Sequence, residues 1–201
     1  MKTVAAIVVV LALLGMFPKH KHKHQQLPPP PAAVSQMYSC MKPEEVQVDS
    51  ARVDRIVKFG SHLYRTPIVG EATLRGIASY IVRYATSNCI EPELAAALIA
   101  RESGFNPNAV SPTGAKGLGQ LIDSTARKMG VTDPFDVEQN VRGSIGYFKQ
   151  LLDIWNGYPD QIERALASYN AGPKAVQNGG PGVSQRFVTD ILKYRDTMQS
   201  E

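Results

Sequence analysis

The sequence lacks the patterns that usually indicate a cofactor or a highly charged ligand. It has no phosphate-binding loop, no cluster of residues at metal-ligand spacing and no dinucleotide fingerprint, so we expect no cofactor and no metal. Its 22 basic and 18 acidic residues leave a formal charge of +4, and that excess is spread along the chain. Because no basic stripe is present, nucleic-acid binding is not predicted.

Cysteine is scarce as well, since Cys40 and Cys89 are the only two. In an oxidising compartment they would be able to pair across a loop that the chain-entropy model values at roughly 4 kcal/mol. Two unpaired thiols are an equally good interpretation of the sequence alone. No cysteine directly follows the apolar N-terminal run, so a lipid anchor at that point has no acceptor.

The first 36 residues have the composition of a targeting segment and a linker. Residues 1–17 combine a charged start with a short apolar run, which is typical of a secretory signal peptide or a membrane anchor. Lysines follow the run directly and no small-residue cleavage site is evident, so the sequence does not say whether the segment is removed. Residues 18–36 alternate His with Lys and then contain four consecutive prolines, which predicts an extended linker.

From about residue 49 onward, apolar residues recur at helical spacing, and the only candidate strand is a short piece between Phe105 and Ile122. The sequence therefore predicts a single, mainly α domain with little or no β structure. Five stripes carry the pattern: Leu74, Ile77, Ala78 and Ile81; Ala95, Leu98, Ile99 and Glu102; Val141, Ile145, Phe148, Leu152 and Trp155; Ile162, Ala165, Leu166 and Tyr169; Phe187, Ile191 and Tyr194. Asp136 and Gln139 resemble a capping box before the third stripe, and Gly172-Pro173 predicts a stop after the fourth.

Glu102 stands where the second stripe calls for an apolar residue, close to the helix end that Gly104 signals. Desolvation on the core-facing side and the negative end of the helix dipole would both raise the pKa of its carboxyl group. A partly protonated glutamic acid is suited to protonate the leaving oxygen of a glycosidic bond. The competing interpretation is a Glu102 that turns outward or pairs with Arg101.

Three ordered motifs set this glutamate in a wider pattern. They are residues 102–121, which read ESGFNPNAVSPTGAKGLGQL; Asn140, Gly143 and Tyr147; and residues 167–172, which read ASYNAG. Together they resemble the family 1 lytic transglycosylases, whose fold is like that of goose-type lysozyme. The resemblance thus implies a fold of the α+β lysozyme-like superfamily. The resemblance covers about residues 90–196, and it departs from the commonest pattern at Gly119, where methionine is frequent.

The resemblance implies roles for five residues. Glu102 would be the general acid and then the general base, Ser111 and Gln120 would line the sugar-binding cleft, and Tyr169 would direct its hydroxyl toward Glu102. Asn170 would belong to the same substrate-binding set. Without the resemblance, Ser111 is equally well a turn former, Gln120 a loop residue, Tyr169 a packing residue and Asn170 a helix-end residue.

The resemblance also implies the reaction, which is cleavage between N-acetylmuramic acid and N-acetylglucosamine with a 1,6-anhydromuramoyl product. Between Glu102 and Asp123 the segment contains no second acidic residue, which favours a mechanism with one carboxylate. A goose-type muramidase and a non-catalytic peptidoglycan-binding scaffold are the alternatives. We expect residues 37–89 to be a helical N-terminal part of the catalytic body and residues 90–201 to be the catalytic domain.

Peptidoglycan glycan strands would be the partner, in the periplasm or cell envelope. Membrane contact would occur only through the N-terminal segment, and a cell-envelope secretion or assembly machinery is a further candidate partner.

Overall fold

The structure is a computed structural model, and it describes residues 40–63 and 68–200. The predicted signal peptide or anchor and the predicted linker lie outside these residues. Eight α-helices and two short 3-10 helices form the described part of the chain. The α-helices are α1 (Ser50–His62), α2 (Glu71–Ser87), α3 (Pro92–Ser103), α4 (Asp123–Lys128), α5 (Val137–Ile154), α6 (Gln161–Ala171), α7 (Pro173–Gly179) and α8 (Gln185–Gln199), and the 3-10 helices are Pro43–Glu45 and Pro181–Ser184.

The prediction of a mainly α domain is confirmed. In the described residues, β structure is limited to two isolated bridges, which join Val110 to Lys116 and Lys116 to Leu121. Both bridges lie in the loop between α3 and α4, where the sequence suggested a short strand. None of the helices that the structure describes is long and apolar enough to cross a membrane.

Helix α3 lies at the centre of the fold and is buried on all sides over residues 92–100. It packs against α8, α2 and α1. Much of its surface is alanine, including Ala95, Ala96, Ala97 and Ala100, so neighbouring helices can approach its backbone closely. The predicted stripe was therefore too narrow: a helix that is apolar all round is an interior helix.

The segment before α3 is attached to the core by apolar packing, ion pairs and a disulfide. The carboxylate of Glu93 accepts from Arg52 and Arg55 of α1, each at 2.7 Å, and is only 2% exposed. Cys40 and Cys89 form a disulfide with a Cα–Cα distance of 5.6 Å. The pairing that the sequence left open thus joins the start of the described chain to the turn after α2.

Two details of α5 differ from the prediction. Asp136 caps the helix by accepting from the Gln139 backbone N–H at 2.8 Å, but the Gln139 side chain accepts from Thr132 and Asp133 instead of returning to Asp136. The capping box is therefore only half formed. Leu151 is buried, whereas the predicted core residue Leu152 is half-buried, so the buried face of α5 is rotated toward the side that carries Ser144 and Leu151.

The predicted stop after the fourth stripe is confirmed at Gly172, whose φ of 82° is one that residues with a side chain rarely adopt. Pro173 then begins α7 directly, because proline fits the first turn of a helix. Neither α7 nor α4 was predicted. Both are short, and each has one buried residue, Val176 in α7 and Ala126 in α4, too few to produce a periodic apolar stripe.

Candidate active site

Glu102 lies in the last turn of α3, where two consecutive residues in the left-handed region end the helix. Gly104 has a φ of 62° and Phe105 a φ of 63°. The left-handed conformation is unfavourable for a phenylalanine, but its ring is buried in the core with 1% exposure, and that packing offsets the strain. The chain therefore turns sharply after α3, and Glu102 is left beside the loop that follows.

A cavity of about 340 Å³ opens beside the Glu102 side chain. Its walls come from the end of α3, the loop before α4, the middle of α5 and the end of α6. The lining residues are Glu102, Ser111, Thr113, Ala115, Gln120, Leu121, Ile122, Thr125, Tyr147, Tyr169, Asn170 and Gly172. All five residues predicted for the site are present, and Glu102 is the one acidic residue among these described walls.

The surroundings of Glu102 favour its neutral form. The carboxyl group has no hydrogen-bond or ion-pair partner among the described residues, and burial raises its pKa to about 7, although the charge of Arg101 acts in the opposite direction. Arg101 itself pairs with Asp190 at 3.0 Å and lies over the Phe187 ring. The alternative in which Glu102 pairs with Arg101 is therefore wrong. About half of these carboxyl groups would carry a proton at pH 7.

Ser111 and Gln120 hold the loop together as well as lining the cavity. The Ser111 Oγ accepts from the backbone N–H of Ala115 at 2.9 Å. The Gln120 Nε2 donates to the carbonyl oxygens of Ala109 and Gly117, at 3.2 and 2.9 Å. The amide donor of Gln120 is thus occupied, whereas its Oε1 has no partner among the described residues. Gln120 therefore offers a ligand an acceptor.

Asn140 of α5 holds the bend at Gly117–Gly119 in place through hydrogen bonds. Its Oδ1 accepts from the Gly119 N–H at 2.8 Å, and its Nδ2 donates to the carbonyl oxygens of Lys116 and Pro134. This side chain is buried with all of its amide groups bonded, which makes it a rigid support. The sequence motif included Asn140 without indicating this contact.

Gly119, where the sequence departs from the commonest family pattern, has no space for a side chain. A Cβ built at this position would lie 1.9 Å from the Oγ of Ser144 and 3.0 Å from the hydroxyl oxygen of Tyr169. Ser144 therefore occupies the volume into which a side chain at position 119 would extend. The glycine and the serine are a matched pair next to Tyr169, which lines the cavity.

The Tyr169 hydroxyl donates to the backbone carbonyl of Gly119 at 2.8 Å, and the role toward Glu102 that the resemblance implies stays a prediction. Burial raises the pKa of this hydroxyl strongly, and the charge of Glu102 adds to the effect, so Tyr169 is a neutral donor. Its ring packs on Tyr147 with centroids 5.3 Å apart. The hydroxyl reaches the carbonyl because α6 and the loop before α4 come close together at Gly119. No local sequence pattern shows this approach.

Asn170 connects α6 to the short helix before α8, because its Oδ1 accepts from the Ser184 hydroxyl at 2.9 Å. Like Glu102, it also lines a second cavity of about 350 Å³. This second cavity is also lined by Arg186, a residue that no sequence motif had indicated. A basic residue early in a helix carries no signal of its own, so only its position beside Glu102 identifies it.

A mainly helical body thus places one carboxyl group with a raised pKa at the end of an interior helix, where it lines a cavity. The comparisons with known proteins identify the family of this domain. The chain belongs to the transglycosylase SLT domain family, whose model matches residues 79–185, more than half of the sequence.

Three relatives illustrate the similarity, each carrying the name membrane-bound lytic murein transglycosylase F. The protein of Desulfosudis oleivorans is 47% identical over 83 residues, covering 40% of this chain and 18% of the relative. That of Photobacterium profundum is 40% identical over 112 residues, covering 50% and 21%. That of Marinobacter nauticus is 33% identical over 143 residues, covering 64% and 28%. The matched region thus spans less than a third of each of these relatives.

Two solved structures share the fold. The lytic transglycosylase Slt of Pseudomonas aeruginosa, an inactive mutant, aligns with a TM-score of 0.53 and 24% identity over 61% of this chain and 24% of its own. The 70 kDa soluble lytic transglycosylase of Escherichia coli aligns with a TM-score of 0.54 and 17% identity over 84% of this chain and 32% of its own. At these identities the likeness concerns the fold alone.

Proposed function

We propose that this chain is a peptidoglycan lytic transglycosylase. It cleaves the β-1,4 bond between N-acetylmuramic acid and N-acetylglucosamine and leaves a 1,6-anhydromuramoyl end. The observation that carries the proposal is the cavity with Glu102 as its one acidic lining residue among those described, in a domain of this family. A pKa of about 7 suits a group that must both give and take a proton near neutral pH.

In the first step, protonated Glu102 donates its proton to the glycosidic oxygen. The bond between that oxygen and the muramoyl C1 breaks, its electron pair goes to the oxygen, and the N-acetylglucosamine part leaves with a new hydroxyl group. Positive charge develops on the muramoyl ring at this stage. The carboxylate that Glu102 has now become stabilises this charge across the cavity.

In the second step, the Glu102 carboxylate takes the proton from the C6 hydroxyl of the same muramoyl residue. The C6 oxygen then forms a bond with C1, closing the anhydro ring and returning Glu102 to its protonated form. No water is consumed and no second carboxylate is required. The composition of the cavity walls supports this route, because a two-carboxylate glycosidase would place another acid close to Glu102.

The other residues of the cavity position the sugar. The free Oε1 of Gln120 accepts from a sugar hydroxyl or an N-acetyl N–H, and Ser111, whose Oγ lies 3.0 Å from the Thr113 hydroxyl oxygen, lines the same cavity. Tyr169 acts through the carbonyl of Gly119, which it holds in place, and Asn170 connects the two cavities. These assignments predict that Gln120→Ala raises KM by a larger factor than it lowers kcat.

The proposed location is the cell envelope. The relatives bear the words membrane-bound in their names, and residues 1–17 have the composition of a signal peptide or anchor. Peptidoglycan strands are the substrate, and an envelope secretion or assembly machinery is a candidate partner. Fractionation of cells that express the full chain, with and without residues 1–17, tests the location, and recovery in the cytosol of both forms would contradict it.

Mass spectrometry of soluble products tests the reaction. Purified peptidoglycan is incubated with the full chain, with Glu102→Gln and with Glu163→Gln, a control at a glutamate that lines neither cavity. We expect anhydromuropeptides from the parent and the control and none from Glu102→Gln. Reducing-end products, heavier by one water, would indicate a goose-type muramidase. Intact binding with no product from any of the three would indicate a scaffold.

A further inference from the structure

The second cavity adjoins the first at Glu102 and Asn170, which line both. Its remaining walls are Arg101, Val183, Ser184, Gln185, Arg186 and Phe187. Two of these side chains carry positive charge, and Glu102 is the one acidic residue among the described walls. A polymer bound at Glu102 is within reach of both cavities, because Glu102 lines each of them.

The two arginines of the cavity differ in their partners. Arg101 forms an ion pair with Asp190 at 3.0 Å and lies over the Phe187 ring, so its charge is already balanced. Arg186 is exposed and has no hydrogen-bond or ion-pair partner among the described residues. Its planar guanidinium is therefore free to take a carboxylate with two parallel hydrogen bonds.

The backbone that carries Arg186 is fixed relative to Glu102. Arg186 is the second residue of α8, and the next two residues, Phe187 and Val188, are buried in the core. The preceding Ser184 donates its hydroxyl to Asn170 at 2.9 Å. A contact between the guanidinium and a ligand would thus set the ligand's position along the cleft.

Peptidoglycan offers this arginine one kind of anion. Alternate sugars carry a lactyl ether, which ends in a carboxylate or continues into a stem peptide that bears carboxylates. We propose that Arg186 binds a carboxylate of this muramoyl side chain, making the second cavity a specificity subsite. The inference rests on the proposed function for its substrate class, and its test uses binding, which does not depend on turnover.

The experiment measures binding by calorimetry at low salt in full chains that carry Glu102→Gln, with and without Arg186→Gln. The three ligands are muramoyl oligosaccharides with stem peptides, the same oligosaccharides after amidase treatment, which leaves the lactyl carboxylate, and chitotetraose, which has no carboxylate. We expect Arg186→Gln to weaken binding of the stem-bearing ligand about three- to tenfold and to leave chitotetraose unchanged. Weaker binding of the amidase-treated ligand alone would assign the contact to the lactyl carboxylate, because that group is an amide in the stem-bearing ligand.

Lys193→Gln is the matched control, because it removes one exposed positive charge from the same helix outside this cavity. We expect it to bind all three ligands as the parent does. Arg186→Lys keeps the charge but loses the planar fork, so it should recover only part of the affinity. The inference would be overturned if the Arg186→Gln chain bound every ligand as tightly as the parent does. It would also be overturned if Arg186→Gln weakened binding of all three ligands, chitotetraose included, by the same factor.

Failure of the inference and failure of the proposed reaction remain distinct. Anhydro product from the parent chain together with unchanged binding by Arg186→Gln would retain the reaction and remove the subsite. Absence of product together with carboxylate-dependent loss of binding would retain the subsite and remove the reaction.

Discussion

Helix α3 carries one glutamate near each end, and the two are used in opposite ways. Glu93, in the first turn, is 2% exposed and accepts from Arg52 and Arg55 at 2.7 Å. Glu102, in the last turn, has no such partner among the described residues, and burial raises its pKa to about 7. The helix dipole favours negative charge at the first position and disfavours it at the second. The same type of side chain is therefore an ion-paired anion at one end of the helix and the proposed proton donor at the other.

The contrast shows that burial of a glutamate is not enough to raise the pKa of its carboxyl group. What matters is whether the fold supplies a compensating cation, and it does so only for Glu93. Arg101, the arginine beside Glu102 in sequence, is turned toward Asp190 instead. Each of the following changes breaks or sharpens this difference.

The largest effect is expected from Glu102→Gln, which removes the proton donor. The product rate should fall by about 10²- to 10⁴-fold, because general acid–base catalysis contributes about that much. Thermal stability should be unchanged or slightly higher, since a neutral amide in this place avoids the desolvation of a charge. Product analysis and a melting curve check the two parts, and full activity of the variant would refute the role of Glu102.

Glu93→Gln should have the opposite profile. It removes the anion that Arg52 and Arg55 share, while Arg52 keeps its ion pair with Asp49 at 3.6 Å. Because both arginine side chains are about one-third exposed, the expected loss is about 2–3 kcal/mol of unfolding free energy, less than for a fully buried pair. The catalytic rate of the folded fraction should be retained. Urea unfolding measures the loss, with Glu163→Gln as the control, and an unchanged midpoint would show that the ion pairs contribute nothing.

Gly119→Ala disturbs the packing next to Tyr169, a residue of the cavity wall, without altering a charge. The new Cβ would lie 1.9 Å from the Ser144 Oγ, so we expect a loss of about 1–3 kcal/mol and a displaced Tyr169 contact. Adding Ser144→Gly removes both the hydroxyl and its Cβ from that space. Melting curves of the single and double variants test the pairing, which would be disproved by a double variant no more stable than Gly119→Ala.

The smallest effect concerns pH. The folded-state pKa of Glu102 lies above its unfolded value, so its contribution to stability is present below about pH 4.5 and is lost as pH rises through about 7. After screening by solvent we expect a difference of about 1–2 kcal/mol across that window. The difference in unfolding free energy between the parent and Glu102→Gln, measured at several pH values, isolates it. A flat difference would contradict the raised pKa.

The same pKa predicts the pH profile of the reaction. The first step needs the protonated acid, so kcat/KM should fall above about pH 7, whereas an unperturbed glutamate would place this limb near pH 4.5. Rates of product release from purified peptidoglycan across this range would locate the limb.

Much of the fold followed from short-range patterns. The stripes that include Leu74, Leu98, Val141, Ala165 and Ile191 correspond to α2, α3, α5, α6 and α8, because helical periodicity and end signals are properties of neighbouring residues. The position of Glu102 on an otherwise apolar stripe was equally local. The short helices α4 and α7 were missed because each buries only one residue.

The sequence by itself determined the five helices that carry an apolar stripe and the carboxyl group that stands at an apolar position, since both depend on residues within a few turns of one another. The tertiary structure decided which glutamate has cations beside it, because Arg52 and Arg55 reach Glu93 across 41 and 38 residues of chain. It also decided that the Tyr169 hydroxyl meets Gly119, 50 residues away. Such contacts arise only when separate helices pack, and periodicity within one helix carries no information about them.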